Sequence, residues 1–297
     1  MSNKPRKMTL EKKHNLTGWA FLAPATFLIA VFSFWPMIKA LVLSFQTGKG
    51  RNMQMAGFTN YIRMFQDDVF IQSIKNTFFY FILQVPIMLA VALVLACILN
   101  KKDLRFKGFF RTMIFLPCTT SLVAYSIIFR SLFANDGLVN YVLVNIGILD
   151  KPYNFLTQPF AAKMVIILGL LWRWTGYNMV FFLSGLQNIE YSVYEAAKID
   201  GASAIQTFFK ITVPLLKPTI LLTAIMSTNG TLQLFDESIN LTDGGPANAS
   251  ISMSHYIYNL CFKYVPNFGY AAAMSFFILL LVAVLAFIQM RVGDKRD

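Results

Sequence analysis

Charged residues are scarce in this chain of 297 residues, at 13% of the total, and hydrophobic residues make up 56%. A soluble domain carries about a quarter of its residues as charged side chains. The scarcity therefore excludes an ordinary soluble protein. The apolar residues gather in runs of about 20 or more, which is the length that crosses a bilayer as a helix. The sequence predicts an all-α polytopic membrane protein.

Clusters that carry chemistry are also missing. The sequence contains no Gly-x-x-x-x-Gly-Lys-Ser/Thr phosphate loop, so we expect no ATP hydrolysis and no cofactor in this chain. Asp236 and Glu237 are adjacent, and neighbouring helical positions point in different directions, which argues against a catalytic pair. We predict neither a catalytic nor a metal site, because the cysteines and histidines are widely separated: Cys97, Cys118, Cys261, His14 and His255.

Basic residues give the chain a net charge of +12, and their placement predicts topology rather than nucleic-acid binding. They concentrate in residues 1–18, the 100–111 loop, the segment around 190–218 and residues 291–297. Because cytoplasmic loops of membrane proteins are enriched in Lys and Arg, we expect both termini and the 190–218 segment in the cytoplasm. The six predicted spans are about 19–45, 76–99, 112–133, 160–186, 219–241 and 270–290.

Domain boundaries follow from these spans. Residues 1–18 form a basic cytoplasmic tail, residues 19–290 one six-helix membrane domain, and residues 291–297 a short cytoplasmic tail. The loops at 46–75, 135–159 and 242–268 are external. Prolines inside a span break its hydrogen bonding, so Pro36 predicts a kink or an end of the first span and Pro86 a kink in the second.

A polar, helix-forming segment interrupts the apolar runs, reading EAAKIDGASAIQTFFKITVPLLKP from Glu195 to Pro218. Gly201 breaks it, because glycine takes a left-handed backbone without penalty. Ser203 suits a helix N-cap, and Pro214 is expected to stop the second helix. The segment predicts two short helices joined at a bend, a shape that fits a groove on a soluble partner.

Two motifs in this chain resemble those of permease subunits of bacterial ATP-binding-cassette sugar importers of the maltose-transporter type. The first is the EAA loop of that family, matched by Glu195, Ala196, Ala197, Asp200, Gly201, Ile211 and Pro214. The second is the segment Leu-Thr-Asp-Gly-Gly-Pro-Ala-Asn at 241–248, which resembles the LT-x-GGPAN segment of carbohydrate permeases. Glu190 departs from the family, where proline is expected, and the first external loop is short.

The resemblance implies a multi-pass permease in the bacterial plasma membrane that moves a sugar or oligosaccharide. It implies a second permease subunit, two copies of a cytoplasmic ATPase that bind ATP and Mg²⁺, and an extracellular solute-binding protein. Glu195 is then expected to meet a basic residue in the ATPase groove. The GGPAN segment would face either the partner permease or the binding protein.

Polar residues gather in the fifth predicted span, although polar groups are costly inside a bilayer. Asn229, Thr231 and Gln233 are therefore candidates to line the solute path, since amides and hydroxyls match the hydroxyls of a sugar. The alternative is that they hydrogen-bond the partner permease. Asn229 and Gly230 are poor helix formers, so we expect the helix to unwind or kink there.

Arg173 is the other candidate for the solute path, because it lies mid-span between Trp172 and Trp174. A buried arginine needs an acid, a carbonyl or water. It could stack on aromatic rings and meet a sugar, or pair with Asp236 or Glu237 and join two helices. The ion pair is the favoured interpretation.

Other classes of protein remain open on residues alone. An ion-coupled secondary transporter would need no ATPase and would leave the polar segment at 190–218 without a purpose. A membrane enzyme or assembly factor would need a reactive cluster. Within the importer class, amino acids, phosphate esters or metals are alternative cargo.

Overall fold

The computed structural model describes residues 9–49, 52–101 and 103–293. Residues 1–8 and 294–297 of the two predicted tails lie outside the described residues, as does Lys102 of the predicted basic loop. Four helices in the described part are long and apolar enough to cross a membrane, and two bent helix pairs raise the number to six. This result agrees with a polytopic helical membrane protein.

The first long helix runs from Leu10 to Ser44, starting earlier than the predicted boundary at residue 19. Its segments are α1 (Leu10–Ile29), a π-helical turn (Ala30–Phe34) and α2 (Trp35–Ser44). The prediction that Pro36 would end the helix is wrong, because the helix continues to Ser44. A proline clashes with the carbonyl four residues earlier, and the widened π turn covers that position, so the helix continues.

A folded segment replaces the predicted loop at 46–75. Strands β1 (Gln46–Lys49) and β2 (Asn52–Met55) pair antiparallel, and α3 (Thr59–Met64) follows. The Asn60 amide fixes the segment by donating to the carbonyls of Ser44 and Gln46, at 2.9 and 2.8 Å.

Two long helices form the centre of the bundle and pack against each other, namely α4 (Asp68–Leu99) and α8 (Pro159–Gln187). Helix α8 agrees with the predicted span at 160–186. Helix α4 continues through Pro86 and begins eight residues before the predicted start, because Asp67 caps it by accepting from the backbone N–H groups of Val69 and Phe70.

The third predicted span, 112–133, is wrong as a single helix. It consists of α5 (Lys107–Thr119) and α6 (Leu122–Leu132), which meet at 98°. Pro117 lies in the last turn of α5, and Thr120 is extended, with its hydroxyl donating to the Pro117 carbonyl at 2.7 Å. Helix α7 (Leu138–Asn145) then lies within the predicted loop at 135–159.

Residues 191–215 form two short helices joined at a bend, as the sequence predicts. We call these two helices the bent helix pair at the basic end. Helix α9 spans Tyr191–Ile199, Gly201 has φ 75°, and the second helix spans Ala204–Leu215. The second helix comprises α10 (Ala204–Thr207), a π turn (Phe208–Thr212) and α11 (Val213–Leu215). It ends at Leu215, one residue after the predicted stop at Pro214.

After Leu215 the chain bends by 71° into α12 (Lys217–Leu232). Helix α12 is shorter than the predicted span at 219–241, and residues 236–242 belong to the separate helix α13 (Asp236–Thr242). Next come α14 (Met253–Tyr258), a π turn (Asn259–Lys263) and α15 (Phe268–Gly293), which agrees with the last predicted span.

Three buried apolar clusters hold the bundle together. One surrounds Leu99, Leu186 and Leu216. We call this end of the molecule the basic end, because Lys101 and the α9 residue Lys198 lie there. Another surrounds Tyr256 and Tyr270 at the opposite end. The third lies between α4, α6, α8 and α13. Together they fix α4, α8 and α12 around a central space.

Candidate functional site

A cavity of about 310 Å³ opens between α4, α8 and α12. We call it the central cavity. Sites for small molecules typically combine apolar and aromatic walls with a few polar groups, and this wall has that composition. Its polar and aromatic lining comprises Gln84, Asn178, Ser227, Thr231, Gln233, Asp236, Glu237, Trp174, Tyr177 and Phe235.

A break in the fifth span shapes one side of the central cavity. Helix α12 ends at Leu232, and residues 233–235 leave helical geometry before α13 begins at Asp236. Ser252 supports the break by donating its hydroxyl to the Leu234 carbonyl at 2.5 Å. Non-helical backbone inside a membrane protein is tolerated where protein buries it or where it lines a cavity. Helix α12 therefore remains helical at Asn229 and Gly230. The prediction that it unwinds or kinks there is wrong, because the break lies about one turn later, at residues 233–235.

Hydrogen bonds between the three surrounding helices organise the cavity wall. Thr231 on α12 donates to the Gln84 amide oxygen on α4 at 2.9 Å. Ser227 on α12 donates to the Asn178 amide oxygen on α8 at 3.3 Å. Asn178 in turn donates to the Trp174 carbonyl at 3.0 Å. These contacts hold polar groups at fixed positions that face the cavity.

The residues predicted for the solute path divide into two groups. Thr231 and Gln233 lie in the wall of the central cavity. Asn229 is exposed one turn away and accepts a hydrogen bond from the Gln233 amide. Gln233 is exposed as well, so both amides are presented at the surface of the isolated chain.

Arg173 lies behind the wall, where it is only 7% exposed. Its guanidinium stacks over the rings of Tyr125 and Trp174, at 5.2 and 5.4 Å from the centroids. Among the described residues it forms no ion pair within 4.0 Å, so the expected salt bridge to Asp236 or Glu237 is not made in this structure. Nε and Nη1 are buried without a hydrogen-bond partner.

Several cavity residues escaped the sequence analysis. Gln84 lies in the second span, two residues before Pro86, and an amide in an apolar run is itself a signal of function or contact. Tyr177 and Phe235 gave no such signal, because aromatic residues are common throughout this chain. Only the fold brings them to the same wall.

The bent helix pair at the basic end presents the predicted coupling residues. Glu195, Ala196, Asp200, Gly201 and Pro214 are exposed, whereas Ala197 is buried and Ile211 is partly buried. Ser203 and Gln206 form a capping box that starts the second helix. The pair also exposes large apolar side chains, at 85% for Ile199, 71% for Ile205 and 65% for Phe209.

The GGPAN segment is tied to α4 within the chain. The Asn76 amide donates to the carbonyls of Asn248 and Ile251, at 3.1 and 2.9 Å. The Tyr80 hydroxyl donates to the Ser250 carbonyl at 2.9 Å. The segment therefore has a structural role at the opposite end of the bundle, next to the helix that follows the cavity break.

Helices long enough to cross a membrane surround a cavity with a few polar groups, and a bent helix pair is exposed at one end; this arrangement fits a membrane transport protein. The family described as binding-protein-dependent transport system inner membrane component matches residues 71–296. The chain belongs to this family.

Known proteins are similar to this chain over almost its whole length. The lactose transport system permease protein LacF of Rhizobium radiobacter is 52% identical over 292 residues, covering 98% of each chain. The arabinooligosaccharides transport system permease protein AraP of Halalkalibacterium halodurans is 31% identical, covering 96% of this chain and 90% of that protein. The crystal structure of a bacterial alginate ABC transporter, in complex with alginate pentasaccharide-bound periplasmic protein, matches with a TM-score of 0.83 at 26% identity over 95% of this chain and 96% of that one.

Proposed function

We propose that this chain is one permease subunit of an ATP-driven importer that takes up a disaccharide or short oligosaccharide. The observation that carries the proposal is the central cavity, with its wall of aromatic rings, amides and hydroxyls at a helix break. Sugar hydroxyls both donate and accept hydrogen bonds, and such groups satisfy them in both directions. The names of the two relatives above, which specify lactose and arabinooligosaccharides, favour the same class of cargo.

Coupling to ATP is assigned to the bent helix pair at the basic end. Exposed apolar side chains at Ile199, Ile205 and Phe209 suit the groove of a soluble partner. Glu195 on α9 would meet a basic residue there. ATP and Mg²⁺ would bind in that partner, an ATPase present in two copies.

A second permease subunit would complete the translocation path. The most apolar window of the helix Leu10–Ser44 contains no buried residue, and lipid or a partner helix must cover it. Asn229 and Gln233 are different, because exposed amides at membrane depth need hydrogen-bond partners that lipid tails do not offer. We infer that these two amides face the path or the second permease. A binding protein would deliver the sugar on the outer side.

Topology follows the distribution of basic residues. We infer six spans, with residues 1–18, the loop at 190–218 and residues 291–297 in the cytoplasm of a bacterial cell, because these segments carry most of the basic residues. The family assignment favours this importer over an ion-coupled secondary transporter or a membrane enzyme.

The test begins with a mild-detergent pull-down of the tagged chain, which should recover a second permease and an ATPase. The purified complex is then reconstituted with its binding protein, and ATP hydrolysis is measured with lactose, arabinooligosaccharides, glycerol phosphate and amino acids. Stimulation by a carbohydrate alone is expected. Recovery of this chain by itself, or stimulation by a non-sugar solute only, would contradict the proposal.

A further inference from the structure

Three aromatic rings lead from the central cavity to the surface at the end of the molecule opposite the basic end. Phe235 lines the central cavity. Its ring centroid lies 5.1 Å from that of Tyr258, and the Tyr258 centroid lies 5.3 Å from that of Phe262. We call these three side chains the aromatic ladder.

Exposure increases along the aromatic ladder toward the surface. Phe235 is partly buried, Tyr258 is 37% exposed and Phe262 is 72% exposed. Phenylalanine side chains that serve the apolar core are usually buried, so core packing does not account for the outer rings. The ladder therefore joins the cavity to the surface through a series of accessible rings.

The backbone holds the two outer rings on one face. Tyr258 ends α14, and Phe262 lies four residues later in the π turn. Side chains at this spacing are neighbours on a helix surface. Leu260, which lies between them, is 7% exposed and packs into a buried apolar cluster. The other face of the turn is thus anchored in the core, which leaves the two rings on the outer face.

The innermost ring is positioned by the same part of the chain. Phe235 is the last residue before α13, in the non-helical segment of the cavity wall. Its ring meets the buried ring of His255 edge-to-face, with the centroids 6.2 Å apart. Ser252, the N-cap of α14, donates its hydroxyl to the carbonyl of Leu234. The helix that carries Tyr258 therefore also holds Phe235 at the cavity.

Charged groups lie beside the outer end of the aromatic ladder. Lys263, which follows Phe262, donates to both carboxylate oxygens of Asp243 at 2.9 Å. The side chains of this ion pair are 48% and 60% exposed. Because charged side chains are costly in hydrocarbon, we expect this end of the ladder to face water rather than lipid tails.

Water-accessible aromatic rings match one chemical feature of a sugar. The hydroxyl groups of a sugar ring project from its edge, whereas its faces carry apolar C–H groups. Packing such a face on an aromatic ring removes apolar surface from water, and this force has no preferred direction. Movement along a path also requires several sites of moderate strength rather than one tight site. A series of neighbouring rings meets both requirements.

We propose that the aromatic ladder guides the sugar from the outer surface into the central cavity, with a sugar face packing on Phe262, Tyr258 and Phe235 in turn. The inference rests on the proposed function, because it needs a carbohydrate cargo that enters from this end of the molecule. The amides and hydroxyls of the cavity wall would then receive the hydroxyl groups of the sugar.

The experiment uses the complete importer in proteoliposomes with its binding protein, and radiolabelled lactose as the first probe. Two quantities are measured: the sugar taken up per ATP hydrolysed, and the concentration of sugar-loaded binding protein that half-saturates ATP hydrolysis. Phe262→Leu and Tyr258→Leu keep an apolar side chain without the ring, whereas Phe262→Tyr and Tyr258→Phe keep the ring. Tyr141→Leu, at a 68% exposed position on α7, is the matched control.

Each leucine variant of the ladder should reduce the sugar taken up per ATP hydrolysed about two- to tenfold, the range for the loss of one aromatic contact. The half-saturating concentration of binding protein should stay unchanged, because the ladder contacts the sugar. Both variants that keep the ring should retain wild-type values, and so should Tyr141→Leu.

Three results would overturn the inference. Wild-type uptake per ATP in both leucine variants would show that the rings do not contact the sugar. A higher half-saturating concentration with unchanged uptake per ATP would assign the rings to docking of the binding protein. Failure of Phe262→Leu to assemble would assign the exposed ring to a subunit or lipid contact. A wild-type complex that takes up no carbohydrate would instead overturn the proposed function, and the inference with it.

Discussion

Gly201 allows a direct test of the bent helix pair, because its effect is confined to the backbone. It joins α9 to α10 with φ 75°, and a Cβ at this position would meet nothing within 4 Å. A substitution therefore causes no clash with neighbouring atoms. We expect Gly201→Val to reduce uptake strongly while the chain still reaches the membrane.

The expected size follows from the cost of left-handed backbone. An L-residue pays about 1–2 kcal/mol in this region, which corresponds to a loss of about 5- to 30-fold in the population of the observed bend. The cost should be larger for valine than for alanine, because β-branched residues are the least tolerant of positive φ. Asparagine visits this region more readily, so the predicted order of uptake is Gly, Asn, Ala, Val.

The assay compares sugar uptake and ATP hydrolysis by the four proteins at matched membrane levels. Gly147→Val is the matched control, since Gly147 has φ 76°, has equal space around it and lies in the loop between α7 and α8. It carries the same backbone strain away from the bend. Normal uptake by Gly201→Val, or equal losses in both valine variants, would refute the assignment of coupling to this loop.

Three further predictions concern stability, measured as thermal unfolding in detergent. Gly176→Val should prevent folding, because a Cβ would collide with the Ile114 carbonyl on α5. Gly108→Val should fold, because a Cβ there meets nothing within 4 Å. A folded Gly176→Val variant would contradict the close packing of α8 on α5. Asn76→Ala should cost about 1–3 kcal/mol for each carbonyl left unsatisfied, and a loss no greater than that of exposed Asn145→Ala would contradict the anchor. Burial lowers the pKa of His255 below its ordinary value of 6.5, so the native chain binds fewer protons than the unfolded chain. Stability should fall as pH drops below 6.5, and His255→Gln should reduce that dependence.

Hydrophobic runs predicted the straight spans well, because a bilayer imposes one length on every uninterrupted helix. The predicted span 160–186 differs from α8 by one residue at each end. Boundaries failed where polar residues continue a helix beyond the apolar run. Residues 10–18 and 68–75 are both helical, although both stretches lie outside the spans that the sequence predicts.

The two broken spans could not be predicted from mean hydropathy, which sums over residues and does not detect where the backbone turns. The corner of 98° between α5 and α6 depends on extended Thr120. The break after Leu232 depends on Ser252, a residue 18 positions away from the carbonyl that it caps. Such long-range hydrogen bonds are fixed by the fold, and no local pattern encodes them.

The sequence predicted only part of the candidate site, because some of its contacts also depend on the fold. Thr231 and Gln233 attracted attention because polar groups in an apolar span are costly, and they lie in the cavity wall. The role of Arg173 was judged from residue type alone, which favoured an ion pair. In the structure Arg173 stacks on Tyr125 instead of forming the ion pair. Tyr125 lies 48 residues earlier in the chain, and only the packing of α6 on α8 brings these two side chains together.

Helix α12 connects the two regions to which the proposed function assigns coupling and transport. It is a continuous helix of 16 residues, about 24 Å long, with a bend of 71° at one end and the cavity break at the other. Leu216, at the bend, is buried against Gly185 of α8, so this point is held while the bent helix pair beyond it is exposed. Under the proposed function, a rotation of α12 about this held point would be carried to its far end, because a helix is stiff along its axis. There it meets residues 233–235, the non-helical segment in the cavity wall, which can change conformation without breaking a helix. The bend and the break therefore lie where a movement at the basic end would reshape the cavity.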